Sequence, residues 1–160
     1  MATRSPTATD TPAEGGIDAG LRVFAGYHMR RAMAAIQADV NATLAPFGLR
    51  MVPFSVLVTI ADNPGVRPSQ LARALAMERS NLAPILDSLA RDGLILREPA
   101  AEDRRAHALS PSPQGARLAT RARTAVEAHD ARMTGHVDPD MRQRLIRILN
   151  EIEARGQRDG

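Results

Sequence analysis

The 160-residue chain contains no cysteine, no tryptophan, one tyrosine and three phenylalanines, and all 21 of its basic residues are arginine. Without cysteine there is no disulfide framework, no thiol nucleophile, no thiol redox sensor and no Cys-ligated zinc. No apolar run approaches the roughly 18 residues that span a bilayer, so no membrane partner is expected. The N-terminal stretch "MATRSPTATDTPAEGG" lacks the apolar segment of a secretory signal. Residues 1–17 are expected to form a disordered lead, and the protein is expected to be cytoplasmic. Paired catalytic carboxylates, a nucleophile motif and a phosphate-cradling loop are all missing, which argues against an enzyme and against a cofactor. His107, His129 and His136 have no metal-ligand spacing, so no metal site is expected.

What is there is unevenly distributed. Net charge is +3. Residues 1–66 balance at zero, 67–123 carry +4 and 124–160 carry −1. A polyanion is therefore expected to dock on the middle third. That third includes "REPAAEDRRAHALS" (97–110), with six charged side chains between two runs that read as short strands.

Apolar spacings of three and four predict a long amphipathic helix over 18–46, through Leu21, Phe24, His28, Ala32, Ala35, Ile36, Val40 and Leu44. "APFGLR" breaks it. Pro53 is expected to open a second helix that "NPG" closes at 63–65. Pro68 opens a short third helix, and a fourth runs from about Arg79 to Arg91, stopped by Gly93. "LILRE" and "RAHALS" then read as an antiparallel hairpin around a loop at 99–104. Ser112–Pro113 and Asp138–Pro139 each pair an N-cap with a first-turn proline, starting a fifth and a sixth helix. The fold class is mainly α with a small β-hairpin wing.

A short helix, a break at Met77 and Glu78, and a polar-fronted helix make a helix-turn-helix, whose second helix sets its first side chains on base edges. Here those are Arg79, Ser80 and Asn81. Their chemistry suits guanine, several hydroxyl partners and adenine respectively. A hairpin directly after such a helix is a wing, and its tip brings guanidinium groups to the minor groove. Arg73, Arg91 and Arg117 fit phosphate contacts or solvated surface. Arg97 fits either a DNA contact or a clamp holding the wing to the body, and His107 lies on the wing.

These residues resemble a family. "LARALAMERSNLAPILDSLARDGLILREPAAEDRRAHALSPSPQG" is similar to the winged helix-turn-helix core of the multiple-antibiotic-resistance regulator (MarR) family, including Asp-Arg-Arg at 103–105 followed by Gly115. The likeness covers about residues 20–155. It implies a homodimer whose first, fifth and sixth helices interlock, over 18–52 and 112–156, with winged DNA-binding heads over 53–111 reading a pseudo-palindromic double-stranded operator. It places Arg79, Ser80 and Asn81 in the major groove. Arg104 and Arg105 fall on the wing, one entering the groove while the other pairs with Asp103. Two positions depart from the family pattern. Pro111-Ser112 stands where the family has Leu-Thr, and Pro84 lies inside the recognition helix, forfeiting one backbone hydrogen bond.

In "FAGYHMRR", Phe24, Tyr27, His28 and Arg31 recur at helical spacings and offer a flat apolar wall, a hydroxyl, an imidazole and a guanidinium. That set suits an aromatic acid or its acyl-coenzyme A thioester. It also resembles the first helix of family members found beside aromatic-acid degradation operons. Phe54 is expected to face the same cleft. Phe24, His28 and Phe54 fit packed core as well, and Arg31 fits a dimer salt bridge. The function expected is a ligand-released repressor. Its rivals are a ligand-insensitive architectural DNA-binder, an efflux regulator answering a different phenol, a small enzyme and a protein-binding module.

Overall fold

A computed structural model describes residues 16–100 and 103–156, except for the side chains of Ala100 and of residues 103–106. Most of the expected N-terminal lead, residues 1–15, therefore lies outside the described residues, as do the side chains of Asp103, Arg104 and Arg105. The described chain is mainly helical with one two-stranded antiparallel sheet. Among the described residues no single helix is long and apolar enough to cross a membrane.

A 3-10 turn over Ala19–Leu21 precedes α1 (Ala25–Leu44), and a second, Ala45–Phe47, follows it. The single helix expected over 18–46 is thus three pieces. Gly20 sits in the first turn, and the left-handed Gly48 (φ 67°) ends the last. The chain divides into two compact units at Ile36/Gln37, within α1.

In the first unit the apolar positions of the expected stripe are not core: Leu21 and Phe24 are 51% and 59% exposed. In the second unit the stripe holds, with Val40 and Leu44 buried. There they join Val56, Leu57 and Ile60 of α2 (Met51–Asp62), Leu71 of α3 (Pro68–Ala74), and Leu82, Leu86 and Leu89 of α4 (Arg79–Arg91). Ala119 and Ala122 of α5 (Pro113–Thr134) close this core. α2 starts two residues before Pro53, because proline is tolerated in a first turn whose N–H groups lack helical partners. The Asn41 side-chain carbonyl accepts from Met51 N at 2.9 Å and anchors that start.

The hairpin pairs β1 (Ile95–Ala100) with β2 (Asp103–Pro111), in register from Ile95↔Pro111 to Pro99↔His107, then with a shift to Ala100↔Asp103. Of the loop expected at 99–104, residues 99–100 and 103–104 belong instead to the strands, and 101–102 lie outside the described residues. The free edge of β2 is also stitched to the body. Leu109 N donates to Val66 O at 2.9 Å, and Gly65 N donates to Leu109 O at 2.8 Å.

Ser112 joins this sheet to α5. Its hydroxyl donates to Gly93 O at 2.6 Å and accepts from Gly115 N at 2.9 Å, capping the helix. At Gly115 a Cβ would lie 1.9 Å from Leu94 O, so the first turn of α5 seats directly on the backbone beneath the wing. α6 (Pro139–Gly156) is capped by the Asp138 carboxylate, which accepts from the amides of Asp140 and Met141.

Candidate nucleic-acid interface and effector cluster

α3 and α4 are linked through Ala76, whose backbone is left-handed (φ 49°), and this tight turn sets the two helices at the break expected near Met77 and Glu78. Leu82, Leu86 and Leu89 fasten one face of α4 to the core. The opposite front, Arg79, Ser80 and Asn81, is exposed, and these side chains pair with no described residue. Side chains held by a buried stripe and left unpaired among the described residues are available to base edges. α4 continues unbroken across Pro84. Arg73, in the last turn of α3, is exposed.

On the hairpin, His107 is exposed. Arg97 donates to Asp87 of α4 at 2.6 Å, so of its two expected roles the geometry displays the clamp. The wing is therefore held at three places: by Arg97 to the recognition helix, by Leu109 to Val66, and by Ser112 to Gly93.

In the first unit, Tyr27, His28 and Arg31 come together as their spacing predicts. Arg31 Nη1 donates to the Tyr27 hydroxyl at 3.3 Å, and the Tyr27 and His28 rings meet edge to face with centroids 5.8 Å apart. Phe24 is exposed and belongs to neither contact. Phe54, on α2, is half-buried against the core of the second unit. A 490 Å³ concavity in that unit is lined by Phe47, Pro53, Ile85, Leu89, Gln114 and Leu118, and none of the expected effector residues borders it.

Two residues that the motifs did not flag organise these regions. Asp18 accepts from Tyr27 and Arg22, and Asp39 accepts from a buried His129. Asp18 lies nine residues from Tyr27 and Asp39 ninety from His129, so neither pairing shows as a helical spacing.

The MarR family model matches residues 49–107, from just before α2 into the second strand of the hairpin. A Thauera aromatica protein named for a regulatory role at the hcr operon is 30% identical over 128 residues, covering 79% of this chain and 77% of its own. The chain belongs to the MarR family. Among solved structures, the transcriptional repressor CouR bound to a 23-mer DNA duplex superposes with a TM-score of 0.81 at 30% identity, covering 88% of this chain and 99% of that one. CouR from Rhodococcus jostii RHA1 bound to p-coumaroyl-CoA gives 0.73 at 26% identity, over 79% and 90% of the two chains.

This MarR-family chain is thus a transcriptional regulator, and its relatives are regulators rather than enzymes. The family match ends at His107, so it includes the whole helix-turn-helix and the hairpin tip but neither α5 nor α6.

Proposed function

We propose that this MarR-family regulator represses transcription by binding a pseudo-palindromic operator as a homodimer, and that a small aromatic acid or its acyl-CoA thioester releases it. The observation that carries the reading is the front of α4: three exposed polar side chains, unpaired among the described residues, on a helix whose other face is locked into the core. Arg79, Ser80 and Asn81 take the major groove, Arg104 and Arg105 the minor groove, and Arg73 and His107 flank them on the backbone. Asp103 orients one wing arginine, while Arg97 fixes the angle of the wing through Asp87.

A homodimer is supported by α6. Met141, Leu145, Ile148, Leu149 and Ile152 recur at helical spacing and are each 41–58% exposed, an apolar stripe that a second copy would cover. Two heads then address successive major grooves roughly 34–36 Å apart. The effector acts by preferring a dimer whose heads are mis-spaced for those grooves. A differential affinity of about 1–3 kcal/mol changes DNA binding roughly 5–150-fold.

The aromatic effector class is supported by the Tyr27, His28 and Arg31 cluster and by the p-coumaroyl-CoA complex of a relative. The test is fluorescence anisotropy on duplex DNA taken from upstream of the gene, titrated with 4-hydroxybenzoate and with p-coumaroyl-CoA. Release of the duplex by either compound is expected. Binding that neither compound alters would overturn the effector class while leaving the DNA reading intact.

A further inference from the structure

Two of the side chains expected to meet an effector, Tyr27 and Arg31, already face a carboxylate, and Arg22 joins them. The Tyr27 hydroxyl donates to Asp18 Oδ2 at 2.5 Å, Arg22 Nε donates to Asp18 Oδ1 at 3.1 Å, and Arg31 Nη1 lies 3.9 Å from Oδ2. His28 Nε2 donates to the Arg22 carbonyl at 2.8 Å and so fixes the turn that carries Arg22. The Arg30 and Arg31 guanidinium groups lie 5.4 and 5.6 Å from the Tyr27 ring centroid. The Tyr27 hydrogen bond, followed by that from Arg22, lowers the Asp18 carboxyl to about 2, so at neutral pH it is an acceptor-only anion. A phenol and two guanidinium groups around one carboxylate make the donor set that binds any carboxylate.

We propose that Asp18 is an internal competitor for the effector's carboxylate and thereby sets which aromatic compounds the α1 cluster accepts. This rests on the reading that the α1 cluster takes the effector. Asp18 is tethered within nine residues of Tyr27, which gives it an effective concentration of roughly millimolar at its own seat. A free aromatic acid must exceed that advantage, and it can do so because it brings the same anionic group together with a ring to lay against Tyr27. A neutral analogue brings the ring without the charge. It leaves Asp18 in place and gains nothing from Arg22 and Arg31. Asp18 therefore governs discrimination between acid and amide, not affinity for aromatic rings in general.

The experiment is calorimetric titration of the full chain, and of Asp18→Asn and Asp18→Ala, with 4-hydroxybenzoate and with 4-hydroxybenzamide. Circular dichroism checks that helix content is preserved. Both variants are expected to tighten the acid by about tenfold, equivalent to about 1.4 kcal/mol, while the amide shifts by less than about twofold. An acid-to-amide ratio unchanged from wild type, with acid binding intact, overturns the role of Asp18 alone. Binding of neither compound by any of the three proteins overturns the α1 effector reading and this proposal together.

Discussion

His129 Nδ1 lies 2.6 Å from Asp39 Oδ2, joining a buried ring on α5 to a half-exposed carboxylate on α1. Arg132 approaches the same carboxylate oxygen at 3.4 Å. A histidine that is 3% exposed needs a polar partner, and Asp39 supplies it from a part of the chain ninety residues away.

The pair predicts an acid-sensitive contribution to stability. The His129 hydrogen bond, with help from Arg132, holds the Asp39 carboxyl below its usual value of 3.8. A depressed carboxyl stabilises the folded state above the unfolded value and loses that contribution as pH falls through the folded one. Asp39→Asn is therefore expected to lower the denaturant midpoint at neutral pH, and its difference from wild type is expected to start shrinking as the pH falls below about 4 and to disappear only once the pH is below the depressed folded-state value. A difference that persists undiminished in acid would contradict the assignment.

Gly115 and Ser112 set the base of the wing, and both are predicted to be intolerant. A methyl group at Gly115 collides with Leu94 O, so Gly115→Ala forces backbone displacement and should cost about 1–3 kcal/mol. Ser112→Ala removes the cap and the bond to Gly93, and a cap alone is worth about 0.5–2 kcal/mol. Urea unfolding measures both, and a wild-type midpoint for Gly115→Ala would refute the close seating of α5.

Base readout and phosphate contact should separate on mutation. Arg79→Ala and Asn81→Ala are expected to lose about 1–3 kcal/mol each of discrimination between operator and altered bases, with unchanged melting temperature because both side chains are exposed. Arg73→Ala should instead weaken binding to all sequences alike and reduce the salt slope by about one. Competition binding against base-substituted duplexes at several salt concentrations tests the separation, and sequence-selective loss from Arg73→Ala would reverse the roles.

The apolar stripe of α6 predicts a dimer that charge would break. Leu145→Glu combined with Leu149→Glu places two carboxylates on that stripe and should yield monomers that no longer hold the operator. Sedimentation equilibrium reads the outcome, and a persistent dimer would move the interface elsewhere.

Much of the second unit was legible because its punctuation is local. Pro68, Gly93, Ser112–Pro113 and Asp138–Pro139 each mark a helix end within one or two residues of where it lies. Leu82, Leu86 and Leu89 showed the buried face of α4, and hence its polar front. Long-range pairings were not legible. The stitch of Leu109 to Val66, the seat of Gly115 on Leu94 and the Asp39–His129 pair all join residues far apart in sequence, where no periodicity connects them. The first unit misled for a different reason. Leu21 and Phe24 follow a helical spacing, but the 3-10 turn over Ala19–Leu21 breaks the helix and both remain exposed. Tyr27, His28 and Arg31 met as expected, yet the carboxylate that Tyr27 and Arg31 face came from Asp18, outside the motif.

The most direct test of the central claim is the binding of the full chain to a labelled duplex from its own upstream region, compared with a scrambled duplex of equal length at about 0.15 M salt, with the mass of each complex measured. Two chains per duplex and a preference of about a thousandfold or more for the upstream sequence are predicted. One chain per duplex, or equal affinity for both sequences, would contradict a paired reading of DNA by α4 and the wing.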